Sequence, residues 1–452
     1  MKKFRKVLSI ALTVLMIMQL GAVCLTAGAA GDYKIVSPYA DVIWDGEDAW
    51  GAYKGSLHSH STYSDADDTL EVMVKESYKQ GYDFLAVSDH GITGVDWDKA
   101  PFFHPLYLYQ FVIDNPFEHL TTEDYEAIKS GAYEGRGYGM TPVLGANEFN
   151  NLSLTKNHVN GHFLDANEGN GFPGAENELG YEQAVAYIDE HGGLSYINHP
   201  GDWLGTNSNP DAVNDEANVK FFGDLILKYD SCLGMEVFNE RNGTTGYDRI
   251  LWDNILMYTL PYGKNVIGFS NTDAHHPGTI DSSFSIFMMK ENTVENIKAT
   301  MQSGAFFGIT RILRGNDTIG PDKDMDVANE GLPYPMFSKL TVDGHKITAS
   351  VTDAQYVQFI ADGKVVGGRM PVNGNGTVTL DLDTVPGAED FQYVRVEIFG
   401  EGGICISQAM VIDDGTAPLK FEAKEPSFIE KLTAFFKGTK VYAIIMEIAA
   451  AI

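Results

Sequence analysis

Two histidines one residue apart, His58 and His60, close an apolar stretch and open the run His-Ser-His-Ser-Thr-Tyr-Ser-Asp (58–65). On a strand, alternate side chains leave from the same face, so both imidazoles enter one space. Asp65 follows in the next turn. A second apolar stretch ends in Ala-Val-Ser-Asp-His-Gly (86–91) and delivers Asp89 and His90. Three histidines and two aspartates at two successive strand ends form a metal-ligand layout. The same groups recur along the chain: Glu148 after Gly-Ala-Asn, His158 or His162 in His-Val-Asn-Gly-His, His199 in Asn-His-Pro, and Asp273 with His275 in Thr-Asp-Ala-His. No cysteine joins them. Imidazole and carboxylate together suit zinc, manganese or iron and can hold two or three divalent ions, with Glu148 as a candidate bridge. A water held by such ions loses its proton near neutral pH and becomes the nucleophile, so no serine or cysteine nucleophile is required.

The elements that position these groups follow from periodicity. Lys54–His60 reads as a strand. Asp68 reads as the N-cap of the next helix, with Glu71 as its capping partner. Leu70, Met73, Val74 and Ser77 make its buried face, and Gly81 stops it. Further strands are expected over 82–88, 142–148, 158–164, 194–199, 234–239, 266–270 and 305–310. Helices are expected over 122–130, 181–190, 247–260 and 294–304. Strands alternating with helices predict a parallel α/β architecture. Chemical groups on many strand ends predict a barrel, which brings its C-terminal strand ends to one mouth. The aromatic, irregular excursion at 92–140 and the stretch at 200–220 are expected to wall the substrate.

Near Arg311 the pattern changes. Residues 31–313 read as the barrel and 314–335 as a linker rich in Gly, Asp and Pro. Residues 336–415 alternate with period two and read as a small all-β, immunoglobulin-like sandwich, expected to be a structural or docking module. Residues 416–452 form a tail whose apolar end, 441–452, is too short to span a bilayer and suits weak docking on a membrane or protein. Residues 1–30 have the basic start, apolar core and small-residue end of a signal peptide, which predicts a secreted or cell-surface protein and no transmembrane span once it is removed. The 452-residue chain carries a formal net charge of −30. That argues against a nucleic-acid partner. Without the signal, only Cys232 and Cys405 remain, in different predicted domains, so no disulfide framework is expected.

The successive motifs His-Ser-His-Ser-Thr-Tyr-Ser-Asp, Ala-Val-Ser-Asp-His-Gly, Gly-Ala-Asn-Glu, His-Val-Asn-Gly, Asn-His-Pro and Thr-Asp-Ala-His resemble those of the PHP (polymerase and histidinol phosphatase) metal-dependent phosphoesterases. The resemblance runs from about Lys54 to Arg311. It implies a distorted (β/α)7 barrel with a trinuclear metal site. By position, His58, His60, Glu148 and Asp273 would hold one ion, Glu148, His158 and His199 a second, and Asp65, His90 and His275 a third. The family pattern puts the ligand at His158 and leaves His162 facing substrate. Ala66 stands where the family usually has Gly, and neither it nor Asn147 removes a ligand. Asp89 becomes a support beyond the ligands. Arg241, His276 and Arg311 lie just after strand-end motifs and could contact substrate; Lys156 and Arg249 share that position. The expected activity is hydrolysis of a small phosphomonoester or phosphodiester by an exported enzyme. The same barrel cleaving a carboxylic or carbamate ester is the enzymatic alternative, and a non-catalytic surface-binding protein is the other.

Overall fold

A computed structural model describes residues 33–94, 96–105, 117–151, 156–172, 174–239, 246–311 and 331–423, together with the backbone at 313–314 and 325–326. The expected signal peptide, most of the expected linker, Arg241 and the apolar end of the tail lie outside these residues.

The protein is a mixed α/β structure. In its first sheet, β2 (Gly51–Ser56), β3 (Phe84–Leu85) and β4 (Thr141–Pro142) run parallel as neighbours. β5 (Asn147–Phe149), β6 (Val159–His162), β7 (Leu194–Ile197), β8 (Cys232–Phe238) and β9 (Ile267–Ser270) form a second sheet in sequence order. Two isolated parallel bridges join the sheets, Ser59 to Ala274 and His90 to Glu148. Both bridges fall on the residues that the sequence marks as chemical.

Local physics explains the elements. Helix α1 (Leu70–Lys79) buries Leu70, Met73, Val74, Ser77 and Tyr78, the i, i+3, i+4, i+7, i+8 stripe of an amphipathic helix. Its cap is Thr69, whose hydroxyl accepts from the Val72 N–H, and not Asp68 as expected. The Asp68 carbonyl instead accepts from the Thr62 N–H, so Asp68 closes the loop that carries the ligands. Four helices stand where expected, α2 (Thr122–Ser130), α3 (Leu179–Glu190), α6 (Asp248–Thr259) and α7 (Val294–Ser303), whereas α4 (Pro200–Leu204) and α5 (Glu216–Lys228) were not expected and make much of the 200–220 stretch helical.

Three strand expectations are corrected. β6 is antiparallel to both β5 and β7, with Val159 opposite Ile197. The loop from Phe149 to Asn157 is too short for a helical crossover, which a parallel neighbour would need. A strand that was not expected, β10 (Ser283–Met289), pairs antiparallel with β2 and with β11 (Phe306–Thr310). It is buried on both faces, so its sequence lacks the alternation that marks a half-exposed strand. The expected strand over 142–148 is two strands, broken at Gly145. That glycine has φ +72°, and a Cβ there would lie 2.1 Å from the Leu164 carbonyl oxygen.

The expected independent C-terminal module shares its ladder with the first half. Short strands β12 (Leu313–Arg314) and β13 (Met325–Asp326) pair with each other. β14 (Met336–Asp343), β15 (Lys346–Ala361), β16 (Lys364–Asp381), β17 (Tyr393–Gly400), β18 (Gly403–Ile406) and β19 (Met410–Asp413) follow. β18 pairs with β11, so one sheet runs from β4 through β2 into the C-terminal strands. β1 (Lys34–Val36) adds to β19, which places the lead-in residues with the C-terminal half. Both contacts use backbone edges that would otherwise be left unpaired.

Charge also crosses this junction. Arg395 on β17 makes a two-pronged bond to Asp253 on α6, Nε to Oδ1 at 2.8 Å and Nη2 to Oδ2 at 2.7 Å. Its third arm donates to Glu397 at 2.7 Å, and the Tyr393 hydroxyl donates to Asp253 at 2.6 Å. All four side chains are buried. The cluster joins residues 142 positions apart in the chain, so no local pattern marks it.

Candidate metal centre

The expected ligands lie on or within a few residues of strand ends: His58 and His60 follow β2, Glu148 lies on β5, His158 precedes β6, His199 follows β7 and Asp273 follows β9. His60 N–H donates to the Ala274 carbonyl, and Asp273 N–H donates to the His58 carbonyl. These bonds pin the β2 and β9 ends together. His199 has φ 23° and Asp273 φ 48°, and Asn157, next to His158, has φ 66°. Such left-handed backbone in non-glycine residues persists where the surroundings enforce it, and it clusters at functional sites.

His58, His60, Glu148 and Asp273 offer one atom each within 4.8 Å of one another, and all four are buried. His58 Nε2 lies 3.1 Å from both Glu148 Oε2 and Asp273 Oδ1. His60 Nε2 lies 3.0 Å from the same two oxygens. The two Nε2 atoms face each other at 3.2 Å. These are close to the edges of a tetrahedron, roughly 3.3 Å, around an ion that holds its ligands at roughly 2.0–2.1 Å. Asp273 Oδ1 is buried without a hydrogen-bond partner, which is what a ligand oxygen awaiting a cation presents.

Glu148 faces two ways. Oε2 looks at His58 and His60, and at His90 Nδ1 3.4 Å away. Oε1 looks at His158 Nδ1 at 3.1 Å and His199 Nε2 at 3.3 Å. A carboxylate with histidines on both oxygens is placed as a bridge between two cation positions. His60, Asp65 and His90 form a further group. Asp65 Oδ2 is 3.6 Å from His90 Nε2, and its Oδ1 is 3.4 Å from His275 Nε2. All nine expected ligands therefore gather at one place.

Electrostatics agree with a cation-demanding site. Burial works to lower the His58 and His60 imidazoles, but Asp273 and Glu148 outweigh it and hold both well above their ordinary value. Burial likewise opposes His199, and the same two carboxylates push it up to about 10. His90 goes the other way, to about 4, because desolvation dominates its partners. Burial would raise Glu148, yet His58, His90 and His158 hold it well below the usual carboxylate range. The carboxylates need positive charge here, and protons or divalent cations satisfy that need. The donor set contains no thiolate, so the residues present fit zinc, manganese or iron.

One buried residue in this site was not found by sequence. Glu236 Oε1 accepts from His58 Nδ1 and Asn271 Nδ2, both at 2.9 Å. Its Oε2 accepts from the His199 N–H at 3.1 Å and from Asn239 Nδ2 at 2.7 Å. It ties three strand ends together and leaves His58 Nε2 for a cation. Its one legible signal was a glutamate inside the apolar run Gly-Met-Glu-Val-Phe-Asn. Asp89 holds the expected supporting place. It accepts from Ser61 N–H, Ser61 Oγ and Ser64 Oγ, each at 2.7 Å, and Ser64 Oγ lies 3.2 Å from His60 Nδ1.

The expected substrate contacts fare differently. His162 is fully buried and stacked on Tyr196 with ring centroids 5.4 Å apart, and burial pushes it down to about 3. It cannot face substrate, because the antiparallel course of β6 puts His158 at the site end and His162 opposite Leu194. Arg311 pairs with Asp281 at 2.7 Å and donates to the Leu332 carbonyl at 2.8 Å, so a structural ion pair occupies it. His276 is exposed and its Nδ1 accepts from the Gly278 N–H, which closes a turn. Lys156 is exposed, and Arg249 is buried on α6.

No protein-family model matches this chain, and no curated protein matches it. Solved structures do. Its structural neighbours include a PHP-like protein. That neighbour is a two-domain protein containing a predicted PHP-like metal-dependent phosphoesterase from Bacteroides vulgatus, 16% identical, covering 84% of this chain and 100% of its own, with a TM-score of 0.40. A lesion-specific endonuclease of Pyrococcus furiosus is 12% identical and covers 56% of each chain, at a TM-score of 0.30. An amidohydrolase of Chromobacterium violaceum is 16% identical, covering 49% of this chain and 87% of its own, at 0.27.

Proposed function

We propose that this protein is a metal-dependent hydrolase of the PHP kind that cleaves small phosphomonoesters or phosphodiesters. The observation that carries the reading is Glu148, buried, with histidines on both carboxylate oxygens and Asp273 opposite. Bound divalent ions would supply Lewis-acid polarisation of the phosphoryl group and an activated water. The chain's own part is to hold the ligands. His58, His60, Glu148 and Asp273 would take one ion, Glu148, His158 and His199 a second, and Asp65, His90 and His275 a third. Glu236 and Asp89 orient His58 and His60. Among the described residues, the ion pairs of Asp65, Glu148 and Asp273 are all with histidines, so the anion of the substrate would be met by the ions. In this reading the seven strand positions β2, β3, β4 with β5, β6, β7, β8 and β9 make a distorted (β/α)7 ring, supported by the two bridges. Export through residues 1–30 belongs to the same proposal. No helix among the described residues is long and apolar enough to cross a membrane.

Elemental analysis of purified protein, joined to a phosphate-release screen, tests the reading. Two or three equivalents of zinc, manganese or iron and turnover of aryl phosphates are expected. Metal-replete protein that hydrolyses neither aryl phosphates nor aryl phosphodiesters would sink it.

A further inference from the structure

A cavity of about 380 Å³ opens between the 102–104 segment and the 167–172 loop. Its volume lies within the roughly 300–1,000 Å³ of ordinary small-molecule sites. Phe102, Phe172 and Tyr187 give it aromatic walls, with Glu168, Asn170 and His104 as its polar groups. Phe102 is 60% exposed, which a large apolar ring does at a cost unless something covers it.

The loop that forms the cavity is anchored to residues beside the metal centre. Phe149, the residue after Glu148, packs against Phe172 at 5.2 Å and Tyr187 at 5.6 Å between centroids. Gly171 N–H donates to the Gly91 carbonyl at 2.8 Å, and Asn167 N–H to the Thr93 carbonyl at 2.9 Å. Thr93 in turn donates to the Glu168 carbonyl and accepts from Asn147 Nδ2. The loop is thus stitched to the residues beside His90 and Glu148. The far wall is fixed too: Phe102 N–H donates to Asn167 Oδ1, and Asn170 Nδ2 donates to the Phe102 carbonyl. Gly169 and Gly171 hold φ of +74° and +69°, and a Cβ at either would strike the Phe149 or the His104 ring. This loop is shaped to keep rings close without filling the space between them.

The chemistry of the lining selects its occupant. Glu168 is held from outside by the Tyr187 hydroxyl at 3.0 Å and by His191 Nε2 at 3.2 Å. It offers carboxylate oxygen, an acceptor for hydroxyl groups. Among the described residues the lining contains no lysine or arginine to meet a second phosphate or a nucleic-acid backbone. Aromatic rings receive the C–H face of a sugar ring, and the Glu168 carboxylate receives its hydroxyls. We propose that this cavity binds a neutral, hexose-sized sugar, which forms the organic part of the phosphoester. The inference rests on the hydrolase reading for the ester bond, but not for the sugar.

The test uses the full-length, metal-replete protein and two readouts. Saturation-transfer NMR with methyl α-glucoside reads sugar binding without turnover. The ratio of kcat/KM for glucose 6-phosphate to that for methyl phosphate, which carries no sugar, reads its use. Wild-type protein should transfer saturation to the glucoside, and Phe102→Ala should lose that transfer. Phe102→Ala and Glu168→Gln should each lower the kcat/KM ratio about tenfold, equivalent to about 1.4 kcal/mol. Phe102 is exposed, so its variant tests binding and not folding. An absent glucoside signal, or ratios unchanged in both variants, overturns the proposal. Glucoside binding in a protein that hydrolyses no phosphoester would instead keep the cavity and remove the hydrolase reading.

Discussion

His58 presents its two ring nitrogens to different partners: Nδ1 sits 2.9 Å from Glu236 Oε1, while Nε2 sits 3.1 Å from Asp273 Oδ1. The first contact sets the tautomer that frees the second nitrogen as a ligand. Outer carboxylates of this kind are worth roughly 10–100-fold in metal affinity or activity. Glu236→Ala should therefore lower metal affinity by about that factor in a competitive chelator titration, and Glu236→Gln should lose less. Unchanged affinity in Glu236→Ala would show that His58 needs no such support.

In the proposed reading Glu148 would serve two cation positions, and Asp273 mainly one. Glu148→Ala should remove about two equivalents of metal by elemental analysis and abolish turnover. Asp273→Ala and His58→Ala should each abolish turnover and strip the first ion. A Glu148→Ala protein that loses a single equivalent would argue against the bridge. Retained activity in Asp273→Ala or His58→Ala would remove the mechanism.

The Arg395–Asp253 pair is buried and doubly bonded, so breaking it leaves an unpaired charge in the core. Arg395→Met should destabilise the protein by about 3–5 kcal/mol. Restoring neutrality with Asp253→Leu on top should recover part of that loss. Urea denaturation followed by fluorescence checks both. Equal stabilities of the single and double variants would mean that the two groups do not act as a pair.

His345 links the N-terminal strand to the C-terminal half. Its Nδ1 meets Asp383 Oδ1 at 2.7 Å, and its Nε2 meets the Tyr33 carbonyl oxygen at 2.8 Å. Those two bonds raise its pKa above the ordinary value. A raised histidine stabilises fully below its unfolded value, about 6.5, and the stabilisation fades as pH climbs through the folded value. Amide exchange at 34–36 should therefore quicken as pH rises past the ordinary histidine range, beyond the intrinsic base catalysis of exchange. His345→Gln should abolish that pH dependence. If it leaves the dependence intact, another group controls the strand.

Much of the site could be read before the structure. His58 and His60, Asp65, His90, Glu148, His199, Asp273 and His275 each sit at a strand end or in the turn just beyond it, where alternation and turn chemistry decide direction locally. Glu236 escaped because one glutamate in an apolar strand carries no spacing of its own. Its role exists only through His58, His199 and Asn271, which lie 178, 37 and 35 residues away. The cavity was equally hidden: Phe102 lay in a stretch read only as irregular, and the 167–172 loop lay between an expected strand and an expected helix with no signal of its own.

By itself, the order of residues along the chain determined the types of ligand, most of the elements that carry them and the acidic character of the chain. These are short-range properties, set by side-chain chemistry and by periods of two and 3.6 residues. Only the tertiary structure decided the place of His162, which the family pattern left facing substrate. β6 starts just after His158 and runs antiparallel to its neighbours, so His158 sits at the site and His162 in the core. The tertiary structure also decided that the C-terminal strands extend the first sheet through β11 and β18. Strand pairing is a long-range choice made by unsatisfied backbone edges, and backbone edges leave no mark on the side chains.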